Sequence, residues 1–407
     1  MGSPTTFNDF ALDEKLQKSL RVMNYKTPTP IQAQAIPLAL KGRDVMGSAQ
    51  TGTGKTAAFA IPLVQHILSN KTGSALVLTP TRELGKQVMD VIHQLSRTSG
   101  IQTTFLIGGE SMGKQLKQLE RKPRIIVGTP GRINDHLERG TLKLADCGFL
   151  VLDETDRMLD MGFAIQLERI FKFMPNKRQS LMFSATLPKN IIQMAQKYLN
   201  NPERIAVGST VKPAKNIKQS VIKLKDEEKY PELVQQLENR KGSVIVFVKT
   251  KRGADRLAKR LDKEGFKSEP IHGDLKQNKR DRVIKNYRDS KFRILVATDV
   301  AARGLDIPHI AHVVNYDLPQ VPEDYIHRIG RTARAGASGE AVCFLSPKDG
   351  RKWHAIECLI SPEKEGEKGQ NNDQDKKRKP RKRPNGKKNR WSFTKKKKQR
   401  QKAKKVA

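Results

Sequence analysis

The chain has 407 residues, a formal net charge of +36, 36% hydrophobic residues and three cysteines. That length holds two domains of ordinary size plus a tail, and the charge calls for a polyanionic partner, nucleic acid ahead of a membrane surface because no basic amphipathic helix stands out. Cys147, Cys343 and Cys358 are isolated in sequence, which argues against a zinc site or disulfide framework and fits a reducing, cytoplasmic setting. Asn8, Asp9, Asp13 and Glu14 stand where a signal peptide needs an apolar core, and no apolar stretch reaches spanning length, so a soluble protein is expected.

The first predicted helix runs from Asp13 to about Met23. In the following Asn24 to Gln32 segment, Pro28 and Pro30 fix the backbone, so Tyr25 offers an aromatic face and Gln32 a donor/acceptor pair suited to adenine. Alone, the same segment reads equally as a proline-rich turn packed on the core. A buried strand at Asp44-Val45-Met46-Gly47 and a helix from Ala57 to Leu68 flank Ala49-Gln50-Thr51-Gly52-Thr53-Gly54-Lys55-Thr56. A strand-loop-helix context makes this loop a phosphate cradle. Gly52 and Gly54 let backbone N–H groups turn toward an anion, Lys55 reaches the β/γ-phosphates, and the Thr56 hydroxyl suits Mg²⁺.

Further apolar strands are predicted at Ala75–Leu78, Arg124–Val127, Phe149–Leu152 and Leu181–Phe183, with helices at Glu83–Leu95 and Ala164–Phe171 between them. Continuous apolar strands alternating with helices predict a parallel, doubly wound sheet, whose ligand crevice lies beyond the strand C-termini. Polar clusters stand at each such place: Thr79 to Glu83, Thr129 to Arg132, Asp153 to Asp156, and Ser184 to Thr186. One cluster alone reads as helix capping, but all of them together exceed that explanation. Asp153 and Glu154 end the most apolar strand, where paired carboxylates are costly unless compensated. Their assignment is Asp153 on Mg²⁺, through water, and Glu154 positioning and polarising the attacking water.

Periodicity breaks at 208–215 and restarts with strands at Ser220–Ile222, Val244–Val248, Arg293–Ala297 and His312–Tyr316, so the expected domains are 1–208 and 216–360, joined by a linker. The second half lacks a phosphate loop but carries Asp299 to Asp306 after a strand, and His327 to Arg334. Arg331 and Arg334 share a face on a helical turn, which suits two arginine fingers reaching one γ-phosphate across a cleft. Closure of that cleft would couple hydrolysis to a ligand bridging both domains.

The ordered set Thr29-Pro30-Ile31-Gln32, the Ala49–Thr56 loop, Pro80 to Leu84, Gly108-Gly109, Thr129 to Arg132, Asp153-Glu154-Thr155-Asp156, Ser184-Ala185-Thr186, Gln277-x-x-Arg280, Asp299 to Asp306 and His327 to Arg334 resembles the DEAD-box RNA helicases. The resemblance spans Phe7 to about Leu345 and within the family is most similar to the RhlE-type branch. It implies two tandem RecA-like domains, ATP and Mg²⁺ as cofactors, and RNA as partner, single-stranded or in short duplexes, with low sequence specificity. Ribosome-assembly or RNA-decay proteins are candidate partners. The resemblance also implies roles: Phe7, Tyr25 and Gln32 on adenine, Asp306 at the ribose, Arg82, Gly109, Thr129, Arg132, Gln277, Arg280 and Thr298 on the RNA backbone, and Ser184 and Thr186 linking hydrolysis to strand separation. Two positions depart from the family pattern: Thr155 where alanine is usual, and Ala333 where glycine is commoner. Neither removes a charge.

An ATP-gated RNA clamp and a DNA-translocating helicase are the rival readings. Glu154, Arg331 and Arg334 argue against the first, and the Gln32, Arg82 and Gln277 segments against the second. After residue 360 the chain turns to Lys, Arg, Gln, Asn and Gly, with twenty Lys/Arg against five Asp/Glu, leaving +15 there and +21 elsewhere. Such a segment cannot bury a core and is expected to be disordered. Trp391 and Phe393 suit base stacking, while the block Lys376 to Arg383 fits an RNA-binding arm or a localisation signal equally well.

Overall fold

The computed structural model describes residues 4–49, 52–187, 189–207, 216–302, 310–333 and 337–360. The expected linker at 208–215 and the basic tail therefore lie outside the described residues.

Seven strands make the first sheet: β1 (Val45–Ala49), β2 (Ser74–Leu78), β3 (Thr103–Leu106), β4 (Ile125–Gly128), β5 (Cys147–Leu152), β6 (Gln179–Ser184) and β7 (Glu203–Val207). They lie parallel in the order β3-β4-β2-β5-β6-β1-β7. Every residue of β1, β2 and β4 is buried, as expected for strands covered by helices on both faces. Side chains alternate between two cores. Phe149, Val151, Leu181 and Phe183 join one cluster, whereas Leu150, Leu152 and Met182 join the other.

The second sheet holds β8 (Ile217–Lys223), β9 (Ser243–Phe247), β10 (Ser268–Ile271), β11 (Ile294–Ala297), β12 (Ile310–Asn315) and β13 (Gly339–Leu345), parallel in the order β10-β11-β9-β12-β13-β8. Strand for strand this repeats the first sheet without its β7. The likeness extends to side chains. Arg124, just before β4, donates to the carbonyls of Ile67, Asn70, Thr72 and Gly73 at the end of one helix. Arg293, just before β11, does the same for the carbonyls of Leu237, Arg240 and Gly242. Each guanidinium satisfies carbonyls that a helix terminus would otherwise leave unpaired.

Sequence patterning gives nine of the thirteen strands and passes over β3, β10, β7 and β13. The first two are short edge strands: Thr103-Thr104 dilutes the apolar run of β3, and Pro270 interrupts β10, as proline does only at an edge. Among the described residues no helix is long and apolar enough to cross a membrane.

Candidate active site

The strand order β5-β6-β1 sets the site. Ser48 of β1 is in register with Ser184 of β6, and Leu152 of β5 with Met182, so the phosphate loop, Asp153-Glu154 and Ser184-Ala185-Thr186 emerge side by side within about 10 Å, two strand spacings. The helix Lys55–Ser69 starts on Gly54, which is left-handed at φ 91 and offers no side-chain cap, so the first N–H groups remain open to an anion. Lys55 is buried, its Nζ donating to the Ala49 carbonyl. Burial lowers its pKa, opposed by Asp153 and then Glu154. Gln50 and Thr51 lie outside the described residues, whereas Gly52, Thr53 and Thr56 follow the loop as expected.

Gln32 fastens this loop to the segment before it. Its Oε1 accepts from Thr29 N–H at 2.9 Å and its Nε2 donates to the Gly54 carbonyl at 3.0 Å. Each polar atom keeps one bonding position for a further partner. Phe7 is buried, edge-on to Tyr25 at 5.3 Å and to Phe10 at 5.6 Å, so it supports the tyrosine ring from behind.

The acidic cluster is almost wholly buried. Asp153 Oδ1 accepts from Glu154 N–H at 3.0 Å, and burial together with the Glu154 charge pushes its carboxyl up to about 7 against the pull of Lys55. Glu154 has a left-handed backbone, φ 49 and ψ 52, at the start of the short helix Thr155–Asp160. Asp156 Oδ2 accepts from Ala185 N–H (3.1 Å), Thr186 N–H (2.9 Å) and Thr186 Oγ1 (3.0 Å), while Ser184 Oγ accepts from Asp156 N–H at 3.4 Å. Although burial raises the Asp156 pKa, His327 in the second half, then Arg157 and Lys55, outweigh it and leave the group below its usual value. One carboxylate thus joins the β5 turn to the β6 turn and faces the His327 imidazole of the other half.

His327 lies on the helix Pro322–Ile329, which is clamped by Arg328. That buried guanidinium donates to Asp299 through two nitrogens (2.5 and 2.8 Å) and to Asn315 at 3.0 Å, and it stacks over Phe247. Arg331 is buried beside Phe247, Asp299, Asp324 and His327. Arg334 and Asp306 lie outside the described residues.

Several of the residues expected at RNA also converge. Arg82 packs over Gly108-Gly109, where any side chain on Gly109 (φ 79) would collide with its guanidinium, and its Nη1 donates to Gln277 Oε1 at 2.8 Å. Glu83 pairs with Arg280 at 2.7 Å. Arg132 donates to the Glu110 carbonyl at 3.2 Å, next to Thr129 at the start of the helix Pro130–Glu138. Thr298 sits just past β11, its N–H donating to the Ile271 carbonyl. Sequence spacing assigns no role to Glu83, which lies inside the Thr79 to Glu83 cluster, or to Arg157, which directly follows the Asp153 to Asp156 cluster.

The DEAD/DEAH box helicase profile matches residues 29–194, and the helicase conserved C-terminal domain profile matches 228–336. The chain belongs to the DEAD-box family of ATP-dependent RNA helicases. It is 46% identical over 348 residues to the ATP-dependent RNA helicase CshA of Listeria monocytogenes, covering 85% of this chain and 67% of that one. With the DEAD-box ATP-dependent RNA helicase CshA of Bacillus subtilis it shares 43% over 354 residues, covering 86% and 72%. The S. cerevisiae Dbp5 structure bound to RNA and ADP BeF3 superposes with a TM-score of 0.79 at 32% identity, covering 88% and 94%. Mss116p bound to ssRNA and AMP-PNP gives 0.78 at 29%, covering 87% and 77%. Relatives named CshA give no support to an RhlE-type placement, which is therefore withdrawn.

The two departures from the DEAD-box pattern have visible surroundings. Thr155 is buried, its hydroxyl within reach of the Leu152 carbonyl (3.3 Å) and the Phe183 carbonyl (3.4 Å), on backbone and not on a reacting group. Thr155→Ala is therefore expected to keep ATPase turnover within a few-fold while losing about 1 kcal/mol of stability, a melting shift of a few degrees. A collapse of turnover would show that the hydroxyl serves the chemistry. Ala333 has φ 57, a left-handed conformation in which glycine carries less strain, and this accounts for the commoner residue there.

Proposed function

We propose that residues 1–208 and 216–360 form the two RecA-like halves of an RNA-dependent ATPase that separates short RNA duplexes locally or remodels RNA–protein complexes. Ribosome-assembly or RNA-decay proteins are its proposed partners and the cytoplasm its proposed location. In this reading Tyr25 and Gln32, with Phe7 behind them, recognise adenine, Asp306 approaches the ribose, and Gln50 to Thr56 cradle the phosphates with Lys55 as the cation. Asp153 and Thr56 would hold Mg²⁺. The donor set fits: a buried carboxylate whose neighbour is another carboxylate needs a cation, and no cluster of three His, Cys, Asp or Glu among the described residues suggests a metal held by protein alone. The ion, when bound, neutralises charge on the phosphates.

Glu154 orients the attacking water and takes up its proton. Arg331 and Arg334 stabilise the charge that develops on the transferred phosphoryl group. Arg82, Gly109, Thr129, Arg132, Gln277, Arg280 and Thr298 hold the RNA backbone. Ser184 and Thr186 pass the state of the ATP site onward. The observation that carries this reading is the Asp156 carboxylate, bonded to Ala185 and Thr186 and biased by His327 from the opposite sheet. RNA and DNA oligonucleotides of one sequence should be compared as activators of ATP turnover. Activation by RNA alone is expected, and equal activation by DNA would favour a DNA translocase.

The basic tail is proposed to add RNA contacts without touching catalysis. Each single-strand phosphate neutralised steepens the dependence of log K on log salt by about 0.7, so three or four contacts change the slope by roughly 2 to 3. A chain ending near Ile360 should bind RNA more weakly at low salt, show that shallower slope, and keep its turnover at saturating RNA. Equal slopes for the two proteins would assign the tail to localisation or to another partner.

A further inference from the structure

Arg157 is among the most deeply buried large side chains of the protein, and its charge has no part in the roles above. Its side chain is 1% exposed, and its Nη1 lies 3.0 Å from Oε2 of Glu154, itself 6% exposed, across the first turn of the helix Thr155–Asp160. The pair is monodentate, because Arg157 Nε and Nη2 have no hydrogen-bond partner among the protein atoms. A buried ion pair is a weak source of stability compared with apolar side chains of similar volume. Two orphaned donors make it weaker still.

The charge arrangement suggests another use. Asp153, Glu154 and Asp156 sit together with Lys55, whose electrostatic neighbours include all three carboxylates and Arg157. Left to itself, Glu154 has Lys55 as a competing counter-charge, and an amine occupied in that way is less available to phosphate. With Arg157 holding Oε2, Glu154 has a dedicated cation, and Oε1 takes no bond from the guanidinium. The backbone contributes as well. The left-handed φ of Glu154 directs its Cβ, the amide of Glu154 donates to Asp153, and the Glu154 carbonyl accepts from Met158 N–H at 3.1 Å. Those bonds fix where the side chain begins, whereas Arg157 fixes where the carboxylate ends.

We propose that Arg157 is a positioning residue for ATP hydrolysis: it holds Glu154 by one carboxylate oxygen, keeps that group from pairing with Lys55, and leaves the other oxygen to the water. This rests on the reading of Glu154 as the water-orienting group. Orientation errors of this kind are felt in turnover far more than in ground-state binding.

The test compares Arg157→Met, Arg157→Lys, Glu154→Gln and the Arg157→Met/Glu154→Gln double variant in the full chain. Arg157→Met should cut kcat by about 10- to 100-fold and raise KM for ATP by less than about tenfold, because Glu154 then competes for Lys55, while the affinity for single-stranded RNA stays within about threefold of the parent. Because the bond is monodentate, a lysine ammonium can replace it, and Arg157→Lys should recover kcat to within about threefold. In the nucleotide-free protein, Arg157→Met should lower the melting temperature by several degrees, because Lys55 alone is then left to offset the buried Glu154 carboxylate. The double variant should lose less than the sum of the two singles. Should Arg157→Met not fold, Arg157→Gln carries the same comparison. Parental kcat in Arg157→Met beside an inactive Glu154→Gln would overturn the positioning role, as would Arg157→Lys as slow as Arg157→Met, or equal losses in kcat and in ATP and RNA affinity. Normal hydrolysis by Glu154→Gln would instead overturn the reading of Glu154 itself.

Discussion

Glu154→Gln is expected to bind ATP and RNA as the parent protein does and to lose hydrolysis by about 10²- to 10⁴-fold, the range for removal of a positioned general base. The amide keeps the shape of the side chain but cannot accept a proton from water. Lys55→Ala should behave in the opposite sense. Losing a charge-assisted contact to phosphate weakens nucleotide binding itself, by about tenfold to a hundredfold. Equilibrium binding of a fluorescent ATP analogue, set beside steady-state turnover, separates the two outcomes. Near-normal turnover in Glu154→Gln would remove the carboxylate from its assigned role. The buried setting sharpens the expectation, because Glu154 is held by Arg157 beside the Asp153 carboxylate, away from bulk water.

Arg331→Ala should leave the ATP affinity of the RNA-free protein almost unchanged and reduce RNA-stimulated hydrolysis by as much as ~10³-fold, the scale of arginine fingers. The side chain belongs to the second sheet, beyond the helix that Arg328 clamps, and the phosphate loop belongs to the first. Its effect should therefore depend on closure. Loss of ATP binding without RNA, combined with parental turnover at saturation, would show that Arg331 is not acting across a cleft. A melting curve guards against a folding defect, since Arg331 is buried.

Much of this was legible in the residues because parallel strands covered on both faces must be apolar throughout. Ala75 to Leu78 and Phe149 to Leu152 announce themselves in that way, and the polar residues that follow them mark the crevice. Edge strands give a weaker signal, as Thr103 to Leu106 and Ser268 to Ile271 show. Gly339 to Leu345 carries a plain signal that the expected strands do not include, Ala341 to Leu345 being an unbroken apolar run. The matching strand order of the two sheets was hidden, because order depends on which strands pair and not on where they fall in the chain. At the site, sequence spacing assigned charges singly. It gave no sign that Asp156 would be bonded to Ala185 and Thr186, that Glu83 would meet Arg280, or that Arg157 would be buried against Glu154. The last was accessible in part, because residues three apart on a helical turn face each other.

The central claim is that ATP hydrolysis waits for RNA to bring the two halves together. Its most direct test is ATP turnover by the full chain without nucleic acid, with single-stranded RNA and with a short RNA duplex, following strand separation in the duplex sample. The account predicts low turnover alone, strong stimulation by RNA, and strand separation that requires ATP. Turnover that is equally fast without RNA, or ATP-dependent RNA binding with neither hydrolysis nor strand separation, would contradict it.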